Sequence, residues 1–204
     1  MANPLKTLIN RLLRGSINAK NRDRLTNSAP SVIASNCNGA FILHDLGLKF
    51  NSPFVNLYLE PRDFIRYLSN FEHYRQAELS FVSTDAPYPV GKLEDLTIHF
   101  MHYHSEDEAR EKWIARTARI APDNLFIMMT DRDGCTYQDL QTFDALPFKN
   151  KIVFTHKPYP EFASAFYIEG FSNQGQVGDL YEFSGWLGKK YYDQFDYVSW
   201  FNGK

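Results

Sequence analysis

The sequence predicts an α/β protein of three layers, in which a mainly parallel, Rossmann-like sheet is covered by helices on both faces. The first observation is that Ser31–Ser35, Asn124–Thr130 and Lys151–Thr155 are nearly continuous apolar runs of strand length, as in strands buried on both faces. The second is that segments with helical spacing of apolar residues separate these runs, as βαβ units require. We also expect a few antiparallel strands at one edge of the sheet.

The composition excludes several classes of protein. The chain has 204 residues, of which 44% are hydrophobic and 16% are aromatic, too apolar and ring-rich for a disordered chain, collagen or a coiled coil. Only Cys37 and Cys135 are cysteines, and no apolar run reaches the roughly 18 residues of a membrane helix. We therefore expect a cytoplasmic protein with reduced thiols.

Residues 1–30 are predicted to form a basic amphipathic arm. Their net charge is +5, against −7 for the rest of the chain, so nucleic acid is not expected as a partner of the acidic body. Apolar residues recur at helical spacing at Leu5, Leu8, Ile9, Leu12 and Leu13, and Gly15–Pro30 is a polar linker. The apolar stripe would pack on the domain or on a second subunit. Alternatively, residues 1–24 would lie on the inner face of an anionic membrane.

Residues 31–204 are predicted to form one α/β domain. Its first strand, Ser31–Ser35, leads through a tight turn into a helix that Gly47 ends. A strand follows at Phe54–Leu59, and then a helix at Pro61–Leu68, whose proline suits the first helical turn. Further strands are expected at Leu79–Val82 and Thr97–Tyr103.

The second half of the domain continues this alternation. Ser105 and Glu108 have the spacing of a capping box, and acidic residues crowd the start of the helix that they begin. The strand Asn124–Thr130, the helix Asp139–Leu146 and the strand Lys151–Thr155 complete the prediction.

The loop after the first strand is the first candidate site, because ligands in such sheets bind beyond the carboxyl ends of the strands. A phosphate or carboxylate would bind at the following helix N-terminus, held by Ser35, Asn36, Asn38 and Gly39. In the same loop, the helix dipole would lower the thiol pKa of Cys37 and make it a nucleophile, with His44 or His156 as base. The alternative is that Cys37 is a small buried hydrophobe.

The loop after the strand Asn124–Thr130 is the second candidate site. Asp131 and Asp133 would place two oxygen ligands close together for Mg²⁺ or Mn²⁺ that bridges a nucleotide diphosphate. This spacing looks like the acidic motif of nucleotide-sugar-dependent glycosyltransferases. It is also ordinary turn chemistry, in which either carboxylate caps the next helix.

Histidines and C-terminal aromatic residues supply the remaining candidates. His102 and His104 alternate onto one face of a predicted strand, where they would bind a metal, move a proton or contact a ligand. The aromatic residues between Tyr181 and Phe201 would stack on sugars, or form core or dimer contacts.

Several blocks in a fixed order carry a resemblance to a known family. They are SNCNG at 35–39, LG at 46–47, NSPFV at 51–55, YPVGKL at 88–93, HFMHY at 99–103, EKW at 111–113, DRDGC at 131–135 and LPFKNK at 146–151. This order resembles the bacterial family catalogued as domain of unknown function 1919, whose members are often labelled exopolysaccharide biosynthesis proteins. The resemblance extends from about Ser31 to the C-terminus and leaves the basic arm outside.

The resemblance implies a place in capsule or exopolysaccharide assembly, and it adds Asn51 and Ser52 to the candidate ligand-binding residues. The leading hypothesis is a transferase of a glycosyl, acyl or phospho-group with a nucleotide- or coenzyme A-activated donor. Its catalytic candidates are Cys37, His102, Asp131 and Asp133. The alternatives are a non-catalytic partner of membrane-bound synthesis enzymes and a hydrolase that uses Cys37. A homo-oligomer is compatible with each.

Overall fold

The predicted apolar runs pair side by side in the computed structural model, which describes residues 4–204. The strands are β1 (Ser31–Ala34), β2 (Leu79–Val82), β3 (Val90–Leu93), β4 (Leu96–His99), β5 (Leu125–Thr130), β6 (Lys151–Thr155) and β7 (Ala165–Tyr167). The α-helices are α1 (Pro4–Arg24), α2 (Asn38–Leu46), α3 (Pro61–Ser69), α4 (Phe71–Tyr74), α5 (Glu106–Thr117), α6 (Tyr137–Asp144) and α7 (Tyr197–Phe201). Short 3₁₀ turns lie at Pro122–Asn124 and Tyr191–Gln194.

The main sheet is parallel and has the strand order β1-β5-β6-β7. Its two faces carry separate apolar clusters, because successive side chains of a strand point to opposite faces. Ile33 and Ile127 belong to the cluster beneath α3, α5 and α6, whereas Val32 and Met128 belong to the cluster beneath α2 and α7. The predicted α/β class with helices on both faces is confirmed.

The antiparallel strands form a second sheet, ordered β2-β3-β4, rather than an edge of the first. The expectation of a mixed edge is wrong, because β3 pairs with β2 and β4 and none of the three is a strand of the main sheet. A two-residue turn, in which Glu94 has a φ of 56°, joins β3 to β4. The predicted strand Thr97–Tyr103 ends at His99. The sheets are therefore neighbours within one fold.

The segment predicted as the strand Phe54–Leu59 is irregular. Asn56 has a φ of 62°, which breaks an extended run. The segment links the two sheets instead: Tyr58 and His99 exchange backbone hydrogen bonds of 3.0 Å, and the Leu59 N–H donates to the Ser35 carbonyl at 3.0 Å.

The helix termini follow local signals. The Ser105 side chain accepts a hydrogen bond from the Glu108 N–H at 3.1 Å, and Gly47 ends α2 with a φ of 69°. The helix predicted at Asp139–Leu146 begins earlier, at Tyr137, because Thr136 and Asp139 form a reciprocal capping box.

Helix α1 is the predicted amphipathic helix, but it continues to Arg24, so the expected linker over Gly15–Pro30 is helical in its first part. Its polar side contacts the protein, where Asn10 and Arg14 are buried, while Leu8 and Leu12 are more than half exposed. The expectation that the apolar stripe packs on this domain is wrong, because a buried polar cluster orients the helix. Among residues 4–204, no helix has the length and apolar character needed to cross a membrane.

Arg14 is the centre of that buried polar cluster. Its guanidinium lies 2.6 Å from the Asp45 carboxylate and also contacts Asp193, while Lys190 and Tyr192 donate to Asp45. Burial acts to raise the pKa of Asp45, but the hydrogen bonds from Tyr192 and Lys190 and the charge of Arg14 hold that pKa below its ordinary value. The cluster therefore joins α1 to α2 and to the C-terminal segment at 190–193.

Gly188 lies against the backbone of α1 at Leu13 and Arg14. It has a φ of +71°, and a Cβ there would lie 2.9 Å from the Arg14 backbone nitrogen. We expect Gly188→Ala to lower the free energy of unfolding by about 2 kcal/mol, because alanine is strained at positive φ and the neighbouring backbone cannot yield. The matched control is Gly185→Ala, where a Cβ would meet nothing within 4 Å. Equal urea midpoints for the two variants would contradict this expectation.

Candidate functional site

A cavity of about 360 Å³ opens at the carboxyl ends of β1 and β5. The loop after β1 contributes Asn36, Cys37 and Asn38, and the loop after β5 contributes Arg132 and Asp133. This volume is within the range of small-molecule sites. The two loops selected from the sequence therefore meet, because their parallel strands are adjacent.

Asn36 joins the two loops. Its amide nitrogen donates to the Thr130 hydroxyl at 2.8 Å, and its oxygen accepts from the Asn38 backbone N–H at 3.2 Å. The same oxygen accepts from the Asn38 side-chain nitrogen at 2.9 Å. The buried Oδ1 of Asn38 has no hydrogen-bond partner in the described part of the chain, so it is an acceptor available to a ligand.

Cys37 lines the cavity, but its environment does not activate it. Burial raises the pKa of the Cys37 thiol and outweighs the hydrogen bonds from the backbone that would lower it, whereas the sequence argument predicted a lowered pKa. The proposed bases are elsewhere, since His44 is exposed in the last turn of α2 and His156 is paired with Asp131. The geometry therefore disfavours a cysteine nucleophile.

Arg132 and Asp179 form an ion pair at one side of the cavity. Asp179 also accepts from the Tyr181 hydroxyl at 3.0 Å, and burial together with this carboxylate raises the pKa of Tyr181 to about 12. The Tyr181 ring stacks on Phe41 with 4.2 Å between centroids. The buried Arg132 Nε has no partner among residues 4–204, so the guanidinium retains a donor.

The opposite side of the cavity comes from two parts of the chain. One is the irregular segment at 54–59 that links the two sheets, which we call the bridging segment, and the other is the second sheet. Tyr58 stacks on His99 at 4.4 Å between centroids, and Tyr88 meets the same ring edge-on at 6.0 Å. Burial lowers the pKa of His99, against the nearby acids that would raise it. Met101 and His102 complete this side. The lining thus combines aromatic rings with amide, guanidinium and carboxylate groups.

Asp131 and Asp133 do not form a pair of free carboxylates. One Asp131 oxygen accepts from the His156 N–H at 2.7 Å and from the His156 ring at 2.5 Å, and the other accepts from the Val177 N–H at 2.8 Å. Asp131 is buried and does not line the cavity, so it connects β5 to the next loops. Asp133 does line it, at a φ of 60°.

These contacts do not fit the predicted two-carboxylate site for Mg²⁺ or Mn²⁺. Asp131 is committed to N–H donors, and Asp179 to Arg132. No cluster of three or more His, Cys, Asp or Glu side chains suited to a metal ion occurs within residues 4–204.

Several other predicted site residues lie outside the cavity lining. Ser52 is buried and donates to the Val32 carbonyl, while Ser35 bonds through its backbone to Met128 and Leu59. Gly39 permits close packing of α2 on β1, since a Cβ there would lie 2.8 Å from Ala34. His104 lies two residues before α5 begins, and Asn51 lies three residues before the bridging segment. The strand that would have aligned His102 with His104 ends before both.

Sequence reasoning missed most of the aromatic lining. Tyr58 and Tyr88 lie in loops far apart in the chain, and no local pattern joins them. The C-terminal aromatic stretch divides by role: Tyr181 lines the cavity, whereas Tyr192, Tyr197 and Phe201 belong to the core.

Comparisons with known proteins agree with the resemblance of the sequence blocks. The profile of a family described as a domain of unknown function (DUF1919) matches residues 8–202, so the match includes most of the basic arm that was expected to lie outside it. A protein of Haemophilus influenzae, described only as uncharacterized, is 65% identical over 198 residues, which cover 97% of this chain and 96% of the relative. This chain therefore belongs to the DUF1919 family.

Proposed function

We propose that this protein is a transferase of bacterial surface-polysaccharide assembly that binds a nucleotide-activated sugar in the cavity at the carboxyl ends of β1 and β5. The observation that supports it best is the meeting of aromatic rings with amide, guanidinium and carboxylate groups in one cavity at the carboxyl ends of parallel strands. The place in surface-polysaccharide assembly is what the resemblance of the sequence blocks implies.

Each part of the cavity has a counterpart in such a donor. The rings of Tyr58, Tyr88 and Tyr181 suit the flat face of a base or the C–H face of a sugar. Asp133 and the Asn38 Oδ1 accept hydrogen bonds from sugar hydroxyl groups. The Arg132 Nε, which has no partner among residues 4–204, donates to a phosphate oxygen.

His102 is the residue that we assign to proton transfer. In the proposed step, a hydroxyl oxygen of the acceptor bonds to the transferred sugar carbon, and the bond from that carbon to the donor's phosphate oxygen breaks. The hydroxyl proton passes to the His102 imidazole, and the nucleotide leaves as the diphosphate. Imidazole is the side chain that most often performs such transfers.

Calorimetry with uridine-, guanosine- and cytidine-based nucleotide sugars tests binding, each with and without Mn²⁺. We expect one of them to bind, and Arg132→Gln to weaken that binding at least roughly tenfold through loss of a charge-assisted hydrogen bond. Arg119→Gln is the control, since Arg119 is exposed and contacts Phe50. Coenzyme A and acetyl-coenzyme A complete the panel. Exclusive binding of the coenzymes, or unchanged affinity in Arg132→Gln, would overturn the donor assignment.

Turnover separates catalysis from binding. With a binding donor and lipid-linked or oligosaccharide acceptors, we expect His102→Gln to bind the donor normally and to lose roughly 10²-fold or more in kcat. His104→Gln is the matched control, because His104 is an exposed histidine on the same segment and outside the cavity lining. Equal kcat values for the two variants would refute the role of His102.

A further inference from the structure

Helix α1 turns Asn10 and Arg14 toward the protein and three of its leucines toward solvent. Asn10 and Arg14 are 1% and 6% exposed, whereas Leu5, Leu8 and Leu12 are 58%, 56% and 71% exposed. A helix that packs on its own domain normally buries its apolar stripe. In α1 these three leucines face outward instead. The ion pairs of Arg14 with Asp45 and Asp193 hold the helix in this rotation about its axis.

The loop at 185–188, which is bound to α1, exposes two further apolar side chains. Asn10 anchors the loop at two points, since its amide nitrogen donates to the Gly185 carbonyl at 2.7 Å and its oxygen accepts from the Gly188 N–H at 2.9 Å. Between these anchors, Trp186 is 48% exposed and Leu187 is 72% exposed. The apolar patch, as we call it, consists of Leu5, Leu8, Leu12, Trp186 and Leu187.

The charge around the apolar patch is positive. Arg11 and Lys20 are exposed on α1, and Lys189 is exposed directly after the loop at 185–188. In a two-fold dimer through this patch, the same cations of both copies would face each other, which is unfavourable. The charge complements an anionic surface instead.

We propose that α1 and the 185–188 loop dock this protein on an anionic lipid surface. The leucines enter the boundary between headgroups and acyl chains, as in interfacial amphipathic helices, and Trp186 takes the amphipathic interface position typical of its ring. Arg11, Lys20 and Lys189 contact the lipid phosphates. The inference rests on α1 and its neighbouring loop, so it does not depend on the cavity's ligand.

Cosedimentation of the full chain with vesicles tests the proposal. We expect binding to mixed phosphatidylcholine and phosphatidylglycerol vesicles, much weaker binding to phosphatidylcholine alone, and weakening by salt. Leu8→Gln with Leu12→Gln removes two inserted side chains, which lowers binding by roughly tenfold or more. The melting temperature should stay within about 2 °C of wild type, since both leucines are exposed. Ile114→Gln, at a 62% exposed position on α5, is the matched control and binds normally.

The fluorescence emission of Trp186 reports whether this side chain enters the membrane interface. Of the three tryptophans, Trp113 is buried in one apolar cluster and Trp200 packs against the other. A blue shift on addition of anionic vesicles should therefore arise mainly from Trp186 and disappear in Trp186→Phe. Absence of cosedimentation, or equal cosedimentation of wild type and the double leucine variant, would overturn the proposal. A concentration-dependent dimer that the leucine substitutions abolish, without vesicle binding, would assign the patch to a second copy instead.

Discussion

Replacing Arg14 with methionine is expected to lower the free energy of unfolding by about 3–5 kcal/mol, because it leaves two buried carboxylates without their shared cation. The side chains of Asp45 and Asp193 are each 8% exposed, as is that of Arg14. Methionine preserves much of the apolar contact of the arginine stem, so the loss reports the charge. Lys190 remains beside Asp45 at 3.0 Å but does not pair with Asp193.

Arg24→Met is the matched control, because Arg24 lies on the same helix and also pairs with an aspartate. That pair with Asp196 is half exposed on both sides, and an exposed pair contributes about 1 kcal/mol or less. Urea unfolding of both variants checks the expectation. Similar midpoints for Arg14→Met and Arg24→Met would show that the buried cluster does not hold α1 in place.

The effect of Arg14 also depends on pH in a defined direction. Burial opposes ionisation, but Tyr192, Lys190 and Arg14 together hold the pKa of Asp45 below its ordinary value of 3.8. A group with a lowered folded-state pKa stabilises the fold above its unfolded pKa, and this contribution disappears as the pH falls through the folded value. We therefore expect the stability gap between wild type and Arg14→Met to narrow as the pH falls below about 4.

Asp131→Ala is expected to cost about 3–5 kcal/mol, because it leaves the backbone N–H groups of His156 and Val177 and the His156 ring without their acceptor. These donors contact a carboxylate that is 5% exposed. The change also removes the hydrogen bonds that join the end of β5 to His156, in the loop after β6, and to Val177. Denaturant unfolding measures the cost.

Asp133→Asn is the matched comparison at the other end of the same motif. Asparagine tolerates the left-handed backbone at this position, so we expect the free energy of unfolding to change by less than about 0.5 kcal/mol. The two substitutions therefore separate a buried anchor from a cavity residue. Destabilisation by Asp133→Asn equal to that by Asp131→Ala would contradict this division. Stabilisation of wild type by Mn²⁺ alone, lost in both variants, would restore the two-carboxylate metal site.

The folded structure also explains why Asp131 and Asp133 have different roles although their local sequence signals are the same. Both follow a buried strand, and turn chemistry suits both. Their roles diverge because the segments at His156 and Val177 approach one carboxylate and not the other. These segments are 25 and 46 residues further along the chain, beyond any local pattern.

The sequence alone predicted the α/β class, three of the four strands of the parallel sheet (β1, β5 and β6) and several helix termini, among them the starts of α3 and α5 and the end of α2. Each of these follows from local signals, namely apolar runs and capping residues. The tertiary structure decided which candidates enter the cavity, which aromatic residues join them, and which side of α1 faces out. These depend on contacts between distant segments: the bridge at Tyr58 brings in the second sheet, and Asp45 and Asp193 turn Arg14 inward. Amphipathic spacing predicts that a helix has two faces, but only its partners determine which one is buried.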